Sequence, residues 1–131
     1  MREIKFRLFS QDTNKVIYPD DNGWFHKAFV GKNGVLQSIR IDVALNNTDK
    51  VTVMQYTGLK DKNGKEIYEG DIDKCSQTQI TYLLEEGGFC LVRFDEKGRV
   101  SSRTRLNDSN EKYVEIIGNI YENPELLEES K

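Results

Sequence analysis

A chain of 131 residues, 37% hydrophobic and 31% charged, has enough apolar material to bury roughly two thirds of its unfolded surface with no disulfide or metal staple. Its net charge of −3 excludes a protein that coats nucleic acid through bulk positive charge. Cys75 and Cys90, with no CxxC and no histidine cluster, exclude a structural zinc site of the usual ligand spacing.

The expected elements are short and closely punctuated. Ile4, Phe6 and Leu8 alternate with Lys5, Arg7 and Phe9, which predicts a strand with one apolar face. The turn cluster 10–14 and a second strand at 16–18, ended by Pro19, complete a hairpin. After the loop 19–23, the apolar residues Trp24, Phe25, Phe29, Val30, Val35, Ile39 and Ile41 look strand-like without clean alternation. Residues 42–50 fit either a loop or a short helix, and the β-branched run 51–56 predicts a strand.

Residues 57–70 hold Gly58, Gly64, Gly70 and the pair Asn63-Gly64, so consecutive turns are expected there. Asn63-Gly64 suits a hairpin turn with positive φ at both central positions. Leu59, Ile67, Tyr68 and Ile72 are the expected inward side chains. Further strands are expected at 71–75, 80–84, 89–94 and 113–117, with turns at 85–88 and 95–98 and only weak strand character from Val100 onward. Asn123-Pro124-Glu125 reads as the start of a short C-terminal helix.

This pattern predicts a mainly β protein: an N-terminal hairpin lobe (1–57), then a small, partly open SH3-like β-barrel of about five strands with a C-terminal helical tail (58–131). No run approaches the ~20 apolar residues of a membrane span, and the first residues show no signal-peptide core. A cytoplasmic protein with reduced thiols is expected, with a Cys75–Cys90 disulfide as the alternative.

Three stretches carry a resemblance to a known family. They are the opening Met1-Arg2-Glu3-Ile4-Lys5-Phe6-Arg7, the central run from Gln55 to Ile72, and the ending from Ile116 to Leu127. Together they resemble the YopX-like proteins of bacterial phages and prophages. The opening departs from the family's start, where a Trp often follows; Leu8-Phe9 stands here instead. The resemblance implies a bacterial host cytoplasm and an accessory role. The family has no defined catalytic residues, so it implies none here.

Candidate chemistry is sparse. His26 is the only histidine, read as a structural or surface residue with a general base as the alternative. A Ser-His-Asp arrangement would have to use it, and no nucleophile-elbow pattern surrounds any serine. Asp61, Glu66, Glu69 and Asp71 offer oxygen ligands, but their spacing misses the calcium-loop pattern and reads as a solvated turn surface. Cys90 reads as core and Cys75 as a small hydrophobe beside Lys74. No catalytic residue, cofactor motif or metal set is therefore assigned.

The leading expectation is a non-enzymatic interaction or self-assembling module. A homo-oligomer is expected, with a host or phage protein as the other kind of partner. Residues 1–40 carry seven Lys or Arg against four Asp or Glu, whereas the end carries Glu122, Glu125, Glu128 and Glu129; Leu126 and Leu127 are the candidate self-association anchors. The alternative is a nucleic-acid-binding small barrel, with Lys60, Lys62, Lys65, Arg99, Arg103 and Arg105 as candidate contacts and Arg2, Lys5 and Arg7 adding charge.

Overall fold

The computed structural model describes residues 4–46, 50–74 and 77–128, except the side chain of Glu128. The chain is mainly β and divides into two compact units, Ile4–Gln55 and a second that runs on from Tyr56.

In the first unit β1 (Phe6–Ser10) pairs antiparallel with β2 (Lys15–Ile17) and with the first half of β5 (Val51–Lys60). The β1–β2 turn is held by Ser10, whose Oγ accepts the Thr13 amide, and Asn14 takes a φ of 59°. β3 (Trp24–Val30) and β4 (Leu36–Arg40) form a separate hairpin, followed by one helical turn, α1 (Ile41–Ala44). The helix resolves the alternative for residues 42–50 over its first part. The uneven alternation of β3 has a physical cause. Its register with β4 shifts between Phe25 and Phe29, and Lys27 sits at φ 58°, so Phe25 and Ala28 both turn inward. Leu8, Phe25, Ala28, Ile39, Ala44 and Val51 make the core of this unit.

The second unit is built on a five-stranded antiparallel half-barrel in the order β10-β9-β8-β7-β11, with β7 (Asp71–Asp73), β8 (Thr78–Leu83), β9 (Gly88–Phe94), β10 (Val100–Arg105) and β11 (Ile116–Asn119). The second half of β5 pairs with β6 (Glu66–Tyr68). Ile67, Ile80, Phe89, Leu106, Val114 and Ile116 form the core, with Leu59 and Leu91 packed against it. Leu83, Cys90 and Val92 make a smaller cluster.

Several expectations shift. β5 continues through Thr57-Gly58-Leu59 to Lys60, beyond the expected end at 56. The strand tolerates Gly58 (φ 89°) because its pairing with β6 is irregular there. β10 is a full strand of exposed residues, which hydrophobic alternation cannot signal. The expected strand 113–117 starts later. Asn107 Oδ1 accepts the Ser109 and Asn110 amides and leads into a 3₁₀ turn (Glu111–Tyr113) before β11 begins. The C-terminal helix is one turn, α2 (Glu125–Glu128), and its expected continuation lies outside the described residues.

A candidate anion-binding cleft in the first unit

The cleft is assembled by two turns and two strands. The turn Asp20-Asp21-Asn22-Gly23-Trp24 closes on backbone bonds from Asp20 N to Trp24 O (2.8 Å) and Gly23 N to Asp20 O (3.0 Å), with Gly23 at φ 84°. Asp20 Oδ1 accepts the Asn22 and Trp24 amides at 2.9 and 3.0 Å. Its other oxygen lies 2.7 Å from His26 Nε2, and His26 Nδ1 lies 2.9 Å from Ser38 Oγ on the facing strand β4. A carboxylate, an imidazole and a hydroxyl thus form one chain that fixes the ring. The Trp24 amide, then the His26 ring, hold the Asp20 carboxyl below its ordinary value.

His26 and Lys27, displaced outward by the β3 irregularity, border a cleft of about 540 Å³ with Thr13, Lys15 and Tyr18. Val16, Ile17 and Leu36 supply its apolar lining. Lys15 and Lys27 are exposed, and the nearby carboxylates Asp20 and Asp12 are engaged by His26 and by the Val30 amide. Thr13 Oγ1 is buried and meets no hydrogen-bond partner among the described residues. Asp12 secures the rim, its Oδ2 accepting the Val30 amide at 2.7 Å. Two ammonium groups beside an apolar floor can hold a carboxylate or phosphate whose attached chain is apolar. Sequence reasoning singled out His26 but missed Asp20, Ser38, Lys15 and Lys27 around it. The signal was the Asp20-to-Gly23 turn, which brings Asp20 back beside its own strand.

The other sequence-named residues fall elsewhere. Lys60 and Lys65 are exposed on the β5–β6 hairpin, and Lys62 pairs with Glu115 at 3.0 Å. Arg99 pairs with Asp95, and Arg103 reaches both Glu85 (2.8 Å) and Glu86 (3.3 Å). Arg105 donates to the Glu86 backbone carbonyl. Arg7 is buried and donates to the Tyr18 hydroxyl, so it adds nothing to a positive surface. Arg2 lies outside the described residues, as does Cys75 and with it the alternative Cys75–Cys90 bridge. Cys90 is fully buried, and burial, then the Glu86 charge, pushes its thiol up.

Two of the acidic residues of the central run, Asp61 and Asp71, serve the backbone. Asp61 Oδ1 accepts the Asn63 and Lys65 amides and its Oδ2 accepts the Ile116 amide; Asp71 Oδ2 accepts the Tyr68 amide. Among the described residues no three His, Cys, Asp or Glu side chains gather to hold a metal ion. No helix among them is long and apolar enough to cross a membrane. Leu126 and Leu127 are half-buried, Leu127 facing a groove with Val92 and Phe94.

The family described as YopX protein matches residues 5–128. This chain belongs to the YopX family. A crystal structure of protein EF1440 from Enterococcus faecalis is similar over 97% of this chain and 99% of that one, at 29% identity and a TM-score of 0.50. None of the curated proteins matches the chain. The match spans the central and C-terminal stretches that suggested it and begins within the opening one.

Proposed function

We propose that this YopX-family chain is a non-enzymatic accessory protein of a phage or prophage, an interaction module of the host cytoplasm whose first-unit cleft seats an acidic protein segment. The observation that carries the reading is the pairing of the exposed Lys15 and Lys27 with an apolar floor of Val16, Ile17 and Leu36. Surface ion pairs alone contribute little, and an apolar floor supplies the area that makes such a contact hold. The non-enzymatic reading rests on exposure. The His26 side chain is 60% exposed and that of Asp20 36%, so the Asp20–His26–Ser38 chain stands in water, where its electrostatics are screened and a serine gains little activation.

The occupant we name is a second copy of the chain. Its C-terminal region carries Glu122 and Glu125 exposed, followed in sequence by Glu128 and Glu129. Sedimentation velocity on the full chain at high micromolar concentration should show a mass above the monomer, and Lys15→Glu with Lys27→Glu should lower it. A wild-type monomer that binds a glutamate-rich peptide through the same lysines moves the occupant to another protein. A monomer that binds no acidic peptide overturns the reading.

A further inference from the structure

The second unit has a pocket of its own, of about 320 Å³, walled by Thr57, Gly58 and Leu59 of β5, Tyr82 of β8, Gly87, Gly88 and Phe89, and Arg105 and Leu106. That volume lies at the small end of ligand pockets, enough for one small molecule. Three glycines strip side chains from its wall. Gly58 and Gly87 take φ of 89° and 65°, and Gly88 is needed for another reason. A Cβ there would stand 2.5 to 2.7 Å from Nη2, Cζ and Nε of Arg105, so the guanidinium lies directly on the Gly88 backbone.

Arg105 forms no ion pair of its own among the described residues. Both neighbouring carboxylates, Glu85 and Glu86, are engaged by Arg103, and Arg105 itself donates to the Glu86 main-chain carbonyl. Among the described residues no carboxylate pairs with Arg105 or lines the pocket. Beside it Tyr82 is 43% exposed and packs edge-on against Phe89 with ring centroids 5.2 Å apart, which orients the Tyr82 ring. A fixed aromatic ring, a bare backbone wall and a seated guanidinium with spare donors are the parts that take a planar base and its phosphate.

We propose that this pocket binds a nucleoside phosphate, with the base against Tyr82 and the glycine wall and the phosphate on Arg105. The ligand is either a free mononucleotide or one nucleotide of a single strand. The site lies in the second unit and is independent of the acidic-segment cleft, so either proposal can fail alone.

The test is calorimetric titration of the full chain with AMP, UMP and inorganic phosphate, beside anisotropy with a labelled single strand of about ten nucleotides and its duplex. AMP or UMP, or the single strand, should bind more tightly than inorganic phosphate. Arg105→Gln and Tyr82→Ala should each weaken binding by about tenfold or more. Gly88→Ala should weaken it too, because it displaces the guanidinium while keeping its charge. Lys32→Gln, an exposed residue of the first unit, should change nothing, and far-ultraviolet circular dichroism checks that each variant is folded. Binding by mononucleotides alone identifies a nucleotide-ligand site, and comparable binding by the single strand identifies a strand-binding one. Equal binding of inorganic phosphate, preference for the duplex, no binding, or a folded Arg105→Gln that binds like the wild type overturns the proposal.

Discussion

Among the described residues, aspartate opens three turns of one design. In Asp20 to Trp24, Asp61 to Lys65 and Asp95 to Arg99, the first and fifth residues share a backbone bond of 2.8 Å, and the fourth is a glycine. In each the aspartate Oδ1 accepts the amides of the third and fifth residues, and the glycine takes a φ of 84°, 81° or 79°. This is the three-residue loop with a left-handed glycine, and it corrects the expectation for Asn63-Gly64, since Asn63 does not share the positive φ of Gly64. Space is open where a Gly64 Cβ would stand, so Gly64→Val should cost about 1 kcal/mol or more from backbone strain alone, measurable by denaturant unfolding.

The same turns make an acid prediction. For Asp61, burial by itself raises the pKa, and the amides of Ile116, Lys65 and Asn63 outweigh it, so the folded value lies below 3.8. Asp95 is lowered likewise, first by the Arg99 amide. A carboxyl lowered on folding stabilises fully above its unfolded value and loses that contribution as pH falls through the folded value. Stability should therefore decline below about pH 4. Asp61→Ala, which orphans three amides, should cost about 2 kcal/mol at neutral pH and flatten the acid slope; Asp95→Ala should do less. An unchanged acid slope in Asp61→Ala counts against this account.

Elements were legible where apolar residues alternate or turn residues cluster. Thus β2 and β9, and the inward Ile67, Tyr68 and Ile72, follow from pattern alone, all three side chains being buried. β1 is a strand as expected, but Arg7 and Phe9 are buried beside Leu8 while Ile4 is exposed, so it lacks the single apolar face. Elements defined by pairing were not legible. β10 has no buried residue, and its Arg-rich run reads as a charged loop until β9 is seen beside it. The cleft was hidden for a related reason. Ser38 and His26 meet across a hairpin 12 residues apart, and the irregularity at Lys27 that aims His26 has no sequence signature. The tail was half legible. α2 begins just after Asn123-Pro124 as expected, but Asn123 Oδ1 accepts the upstream Asn119 amide, and the seat of α2 depends on Gly118, where a Cβ would stand 2.5 Å from Asn123 Oδ1 and 2.9 Å from Leu126 Cδ1. Gly118→Ala should cost about 1–3 kcal/mol and open the tail to limited proteolysis ahead of the β core. Unchanged melting and cleavage would show that the tail is not seated there.

At the scale of the molecule the open question is what the uneven charge does. Leu126 and Leu127 rest half-buried in their own unit. Under the proposed self-association the cleft floor of Val16, Ile17 and Leu36 adds apolar area, with the C-terminal acids supplying charge. A basic surface meeting an acidic one on a different part of the next copy is a head-to-tail contact, which closes into a ring or runs on as a chain according to its rotation. Its electrostatic share is exposed to solvent, so the assembly should weaken as ionic strength rises and the Debye length shrinks from ~10 Å at 0.1 M salt to ~3 Å at 1 M. Deleting residues 123–131 should also lower the assembled mass, but it strips the cover from Val92 and Phe94 and confounds folding with association. Glu122→Gln with Glu125→Gln keeps that cover and removes charge alone. The double variant should sediment at lower mass than the wild type in low salt and converge with it in high salt. Equal masses in low salt would place the contact elsewhere, and a wild-type monomer at high micromolar concentration would remove the contact altogether.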